Sequence, residues 1–306
     1  MSLYKKYRPD SFTELIGNKN TIDILKKTLQ KDDKPHAYLF TGETGCGKTT
    51  IGRIVAKELG CFGMDFKENN TADFRGIDSV REILKKAQFQ PLESNCLVWL
   101  WDEAHKLTND AQNAALKLLE DTPSHVYIIL ATTQPNKLIP EIKNRCATFQ
   151  MNVLNDKEMY RLLRKVTTKE NEKLEQEIYD QIIQDSLGHP RNALEILEQV
   201  LCVDPDKRLE VAERKAEEHN VAIELCRILF SNSNWKQIAP ILKSLKENNQ
   251  DAEGIRQIVM GYAQAILLKS ENTTAGLVLE EFIEPFYNSG FPGLVYACYS
   301  VFTNKN

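Results

Sequence analysis

The chain has 306 residues, 42% of them hydrophobic and 27% charged, with a net charge of −4. That length accommodates two or three domains, and that balance excludes both a disordered tail and a protein that coats nucleic acid non-specifically. A locally basic, DNA-facing surface stays compatible with it. No apolar run approaches a membrane span, and the opening Met1-Ser2-Leu3-Tyr4-Lys5-Lys6 lacks a signal-peptide core, so no membrane partner is expected. Seven scattered cysteines, an odd number, suit reduced thiols in a cytoplasmic, nucleoid or nuclear setting.

Residues 3–18 read as an irregular lead-in, because Pro9 pushes Arg8 toward an extended conformation. A helix follows over Thr21–Leu29 with Asn20 as its cap, then a polar turn at Asp32–Lys34. Ala37-Tyr38-Leu39-Phe40 reads as a strand that runs into Gly42-Glu43-Thr44-Gly45-Cys46-Gly47-Lys48-Thr49-Thr50. Behind it, Ile51, Ile54, Val55 and Leu59 share one helix face. Strand, glycine loop and helix is the setting of a P-loop. Glycines let the backbone curl so that successive N–H groups aim at phosphate oxygens, and the helix N-terminus adds partial positive charge behind them. Lys48 would reach the β- and γ-phosphates of ATP, and the Thr49 hydroxyl would ligate Mg²⁺.

Another strand is predicted at Met64–Glu68, and Asp73-Phe74-Arg75-Gly76-Ile77-Asp78 turns into a helix starting near Ser79 with Val80, Ile83 and Leu84 inward. Cys96-Leu97-Val98-Trp99-Leu100-Trp101 is an unbroken apolar run, as expected of a strand buried on both faces. It ends in Asp102-Glu103-Ala104-His105, and a carboxylate pair there is what a Walker B motif needs. Asp102 would hold the Mg²⁺ shell and Glu103 would polarise the attacking water. The same four letters occur in a helicase family, but the helical remainder of the chain offers no second motor domain. A helix from Thr108 and strands at Val126–Ala131 and Ala147–Met151 complete five strands alternating with helices. The expected fold is an α/β P-loop domain, a parallel sheet with helices on both faces and its functional groups at the C-terminal strand ends.

Beyond Met151 the patterns are helical: Asp156–Val166, Glu172–Ser186, Pro190–Leu201, Arg208–Glu218, Ala222–Leu229, Trp235–Lys246, Asp251–Leu267, Thr274–Tyr287 and a last helix from Pro292 toward Val301. The expected division is a nucleotide-binding domain at 1–151, a small helical domain at 152–207 and an all-α bundle at 208–306.

Together these patterns resemble the sliding-clamp-loader ATPases of the AAA+ class, especially the small subunits of replication factor C and their phage and archaeal relatives. The matching residues are Tyr7-Arg8-Pro9 with Phe12 and Gly17, the P-loop, Asn70 through Asp73, and Arg75-Gly76-Ile77-Asp78. They continue with Asp102-Glu103-Ala104-His105, Thr108, Ala111-Gln112-Asn113-Ala114, Thr133, Arg145-Cys146, and Gly188 through Ala193. The resemblance covers about residues 3–200; the rest matches mainly in being helical.

The resemblance implies an ATP-dependent motor subunit that, with other subunits in a pentamer, opens a sliding clamp and loads it on primer–template DNA. Hydrolysis then releases the clamp. The resemblance also makes 152–207 a lid and 208–306 an oligomerising collar. It adds Tyr7, Arg8 and Pro9 to the nucleotide-binding set and makes Thr133 a polar sensor beside the γ-phosphate, where many relatives carry Asn. Arg191 would reach the subunit's own nucleotide, and Arg145 would be the finger offered to the neighbouring subunit's ATP, although it follows Asn144 where the family has Ser. Sequence-independent DNA contacts are expected at two helix starts, Ser79, Arg81 and Lys85 on one and Lys106, Thr108 and Asn109 on the other. Bacterial gamma/tau relatives carry a four-cysteine zinc module between P-loop helix and Walker B strand; only Cys61 and Cys96 fall in that interval, so no zinc is expected. The alternatives are another DNA-acting AAA+ motor, for branch migration or replication initiation, and a non-hydrolysing scaffold subunit, against which Lys48, Thr49, Asp102 and Glu103 argue.

Overall fold

The computed structural model describes residues 2–71, 75–231, 234–247, 250–268, 271–286 and 289–305. The chain divides into two compact units, Met1–Pro205 and Asp206–Asn306.

In the first unit, β1 (Ala37–Thr41), β2 (Phe66–Asn70), β3 (Leu97–Asp102), β4 (Val126–Thr132) and β5 (Ala147–Gln150) form one sheet in the order β2-β3-β4-β1-β5, with every pairing parallel. Its helices are α1 (Leu3–Lys6), α2 (Lys19–Leu29), α3 (Lys48–Glu58), α4 (Ile77–Lys86), α5 (Asn109–Glu120), α6 (Pro140–Arg145), α7 (Asp156–Lys169), α8 (Gln176–Ser186) and α9 (Pro190–Leu201). Side chains along a strand alternate between faces, so the apolar runs serve two cores at once. Leu39, Trp99, Trp101, Ile128 and Leu130 pack with Val80 of α4 and Leu118 of α5. Tyr38, Phe40, Val98, Leu100 and Ile129 pack on the other side with Ile51 and Val55 of α3 and Leu25 of α2. The edge strand β2 is polar, and its Glu68 takes a two-pronged bond from Arg53 at 2.6 and 2.7 Å.

Several boundaries differ from the sequence expectation for local reasons. Residues 3–6 are not irregular but form the single turn α1. The residue preceding α2 is Asn18, left-handed at φ 53°, so the helix starts at Lys19 and Asn20 lies inside it rather than capping it. Strand β2 begins at Phe66, because the Asp65 carboxylate turns away to accept the N–H groups of Leu92, Glu93 and Ser94 and bends Gly63–Asp65 into a 3₁₀ turn. Helix α4 starts two residues before Ser79, and α8 starts at Gln176 rather than Glu172. Ala72, Asp73 and Phe74, part of the family-like segment, lie outside the described residues.

Gln112 is 1% exposed and joins the start of α5 to the segment after β4. Its amide donates to Leu107 O and Lys137 O at 3.2 Å each and accepts from Ile139 N–H at 2.9 Å. Gln112→Leu would strand a buried N–H and two carbonyls, each a desolvation loss. We expect it to lower unfolding stability by roughly 2–4 kcal/mol, read as a drop in the urea midpoint at unchanged m-value. An unmoved midpoint would mean that the amide is dispensable.

The second unit holds α10 (Arg208–Phe230), α11 (Trp235–Glu247), α12 (Ala252–Leu267), α13 (Thr273–Glu281) and α14 (Gly290–Lys305) around a core that includes Leu225, Leu242, Val259, Phe282, Leu294 and Val301. Asp251 caps α12 and Asn272 caps α13. Two predicted helices merge into α10, since nothing between Glu218 and Ala222 breaks the backbone, and α13 ends at Glu281, short of the expected Tyr287, itself outside the described residues.

Candidate nucleotide site

Strand β1 ends at Thr41 and the chain turns through Gly42 at φ 144°. A Cβ there would lie 2.2 Å from the Met151 carbonyl oxygen, so the turn accepts only glycine. Gly45, at φ 78°, lies beneath the first turn of α9: its Cβ would come within 3.5 Å of the Arg191 Cβ. Lys48, 6% exposed, folds back onto the loop and donates to Gly42 O at 3.0 Å and Glu43 O at 2.7 Å. Burial pushes the Cys46 thiol up against the opposing pull of the Lys48 ammonium, which leaves it protonated and unreactive.

Register brings the second motif alongside. Thr41 pairs with Thr132 and Trp101 with Leu130, so the ends of β1, β4 and β3 reach one level. The Thr49 hydroxyl donates to Asp102 Oδ2 at 2.8 Å, and the other Asp102 oxygen accepts the Glu103 N–H at 3.0 Å. Glu103 is left-handed, φ 54° and ψ 40°, an uncommon conformation for a residue with a Cβ. Its carbonyl holds it there by accepting from Lys106 N–H at 2.8 Å and from the Thr71 hydroxyl. Its carboxylate lies 3.3 Å from His105 Nδ1. Burial lowers the His105 pKa, outweighing the attraction of Glu103 and aided by Lys106, Lys137 and Lys48, so the imidazole is neutral at physiological pH.

These groups open onto a cavity of about 670 Å³. Its lining includes the loop from Thr44 to Thr50 with Asp102 and Glu103, and the apolar side chains of Ile22, Leu154 and Leu162. Tyr7, Arg8 and Pro9 form part of its wall, and the ammonium groups of Lys6 and Lys169 lie 5.3 and 5.6 Å from the Tyr7 ring centre. α1 is tied to α9 by the Leu3 N–H on Glu198 Oε2 at 3.1 Å. Arg191 also lines the cavity, its guanidinium over the Tyr4 ring at 5.5 Å. An anion-binding loop, apolar side chains and an arginine in one cavity suit a nucleoside polyphosphate.

Of the residues predicted to serve nucleotide binding and hydrolysis, Gly42, Glu43, Thr133 and Arg145 lie outside the cavity wall. Thr133, half-buried, follows the last residue of β4. Arg145 closes α6, bonded to the Glu120 carboxylate and, at 3.2 Å, to Glu141 O. The expected DNA-facing residues come together, because Thr108 N–H donates to Arg75 O at 3.1 Å and sets the starts of α4 and α5 side by side. Arg81, Lys85, Lys106, Thr108 and Asn109 are exposed and Ser79 is half-buried. The start of α4 is less open to an anion than its sequence suggests, since the Asp78 carboxylate falls in the first turn and bonds Arg81 at 3.3 Å. Sequence reasoning missed the bracing residues Thr71 and His105, and also His189, whose Nε2 lies 3.4 Å from Glu43 Oε2. All three lie in family-like segments, and His105 also stands beside the carboxylate pair. Among the described residues no group of three or more His, Cys, Asp or Glu is placed to hold a metal ion, and no helix is long and apolar enough to cross a membrane.

Residues 67–155 match the family described as DNA polymerase III, delta subunit. The chain is 34% identical over 225 residues to DNA polymerase III subunit gamma/tau of Mycobacterium bovis, a match that covers 66% of this chain and 39% of that protein. It is 36% identical over 200 residues to the replication factor C small subunit of Methanococcus vannielii, covering 63% of this chain and 62% of that one. The chain thus spans about two fifths of the gamma/tau protein's length. In fold it is similar to the Thermotoga maritima RuvB Holliday junction branch migration motor, with a TM-score of 0.61 at 20% identity over 74% of this chain and 80% of that one. The first unit accordingly has the α/β P-loop fold of AAA+ domains, followed by a helical C-terminal region.

Proposed function

We propose that this chain is an ATP-hydrolysing motor subunit of a clamp loader, acting inside the cell with other subunits, in a pentamer, to open a sliding clamp and load it at primer–template junctions. The observation that carries this reading is the contact between the Thr49 hydroxyl and the Asp102 carboxylate, with Lys48 and Glu103 beside it and Arg191 above, all opening on one cavity. The similarity to gamma/tau and replication factor C small subunits supports the clamp-loading context.

In this reading the loop from Gly42 to Thr50 binds the phosphates of ATP, Lys48 exchanges the Gly42 and Glu43 carbonyls for the β- and γ-phosphates, and Tyr7, Arg8 and Pro9 enclose the base. Thr49 and Asp102 fit Mg²⁺, since both offer hard oxygen donors and a site of one carboxylate and one hydroxyl leaves the remaining positions to phosphates and water. Bound there, the ion would neutralise developing phosphate charge. Glu103 orients the attacking water, Thr133 senses the γ-phosphate through β4, Arg191 follows the nucleotide from the lid, and Arg145 serves the neighbouring subunit's ATP. The working division is nucleotide-binding domain at 1–151, lid at 152–207 and oligomerising collar at 208–306. DNA is gripped without regard to sequence at the adjoining starts of α4 and α5.

The test is ATPase turnover with primed DNA and the cognate clamp, separately and together. Stimulation by both together supports the proposal, whereas stimulation by branched DNA with no effect of the clamp would favour a branch-migration motor. Replacing Arg81, Lys85 and Lys106 together by Ala is expected to weaken DNA stimulation and flatten its salt dependence while sparing basal turnover. A triple variant that answers primed DNA like wild type across a salt series would refute the DNA assignment.

A further inference from the structure

We propose that His105 is a positioning residue that ties the Glu103 carboxylate to the end of β4, so that the group polarising water is held by the strand that carries the proposed sensor. This rests on the reading of Glu103 as the catalytic carboxylate. The main chain of Glu103 is fixed at its N–H, by Asp102, and at its carbonyl, by Lys106 and Thr71. The Glu103 side chain has His105 Nδ1 3.3 Å from its Oε2. The same nitrogen lies 3.0 Å from Thr132 Oγ1, and the His105 side chain is only 6% exposed.

The chemistry of the three groups orders the protons. A carboxylate only accepts, so in this proposal the Nδ1 nitrogen carries the proton and shares it between Glu103 and Thr132. Thr132 Oγ1 also accepts the Gln134 N–H at 3.0 Å, which pins it in turn. Thr132 is fully buried, ends β4, precedes Thr133 and pairs with Thr41, the residue before Gly42. The path from P-loop strand to β4 to Glu103 therefore runs through one imidazole. A neutral donor is the right tether for a water-polarising carboxylate. An ammonium or guanidinium at this point would hold it as firmly but would lower its basicity, and an apolar side chain would not hold it at all.

The test compares three variants of the full chain in its assembly. His105→Ala is expected to lower kcat about 10–100-fold, the scale of a misplaced catalytic group, with KM for ATP and the affinity for a fluorescent ATP analogue unchanged. His105→Asn, which keeps an N–H near the Nδ1 position, is expected to recover most of the rate. His105→Leu, which fills the space without a donor, is expected to stay slow. The Ala substitution added to Glu103→Gln should bring no further loss, because the side chain held there would no longer polarise water. Equal rates in the Asn and Leu variants, fast or slow, would overturn the proposal whether or not the Ala variant folds, and so would a loss of nucleotide affinity in step with rate. If Glu103→Gln itself hydrolyses ATP normally, the assignment of Glu103 fails instead, and the two failures are told apart by that single control.

Discussion

Glu103→Gln is expected to bind ATP as tightly as the unaltered protein and to hydrolyse it about 10²–10⁴-fold more slowly, the usual worth of a general base. The substitution keeps length, shape and the carbonyl oxygen that can accept from His105, so the left-handed turn at 103 and its bonds to Lys106 and Thr71 are preserved. What it removes is the negative charge, and with it the ability to draw a proton from water as the bond to phosphorus forms. Binding is expected to be spared because, in the proposed reading, the phosphate contacts come from Lys48 and the loop N–H groups and not from this carboxylate. A nucleotide titration combined with single-turnover hydrolysis separates the two effects. Normal single-turnover rates would remove Glu103 from the catalytic role and leave its carboxylate as a strand cap.

Much of this site is legible in the sequence because its parts are local. The glycine loop needs backbone freedom at Gly42 and Gly45, and Cys96–Trp101 is apolar at every position because β3 is buried on both faces; both facts are written in consecutive letters. What was not legible depends on partners far along the chain. The strand order, with β1 between β4 and β5, follows from pairings such as Thr41 with Thr132, and no local pattern encodes it. The late start of β2 is decided by the bonds from Asp65 to residues 92–94, and the left-handed Asn18 by its exchange of hydrogen bonds with Asn152. His105 stood in plain view as the fourth letter of a motif, yet its use is set by Thr132, 27 positions away.

Arg145→Ala should leave ATP binding by an isolated subunit intact and slow hydrolysis in the assembly by roughly 10³–10⁵, the range of arginine fingers that act on transition-state charge. The geometry motivates a role in trans. Arg145 takes no part in the wall of its own subunit's cavity, which Arg8, Arg53 and Arg191 line, Arg191 beside Gly45 of the P-loop. It sits at the last turn of α6, restrained by the Glu120 carboxylate and the Glu141 carbonyl. That pairing is partly exposed, and such ion pairs contribute at most about 1 kcal/mol, so releasing the guanidinium to a neighbour's γ-phosphate costs little beside the rate it would supply. Arg145→Lys keeps the charge without the planar fork and should recover only part of the rate. Glu120→Ala, which frees the arginine, should not slow hydrolysis at all. Mixed assemblies give the decisive reading: subunits carrying the Ala substitution should hydrolyse their own ATP when a wild-type neighbour supplies its arginine, and should fail to activate the nucleotide of the neighbour they face. A defect confined to the variant's own nucleotide would refute the trans assignment and return Arg145 to the surface ion pair that it makes with Glu120.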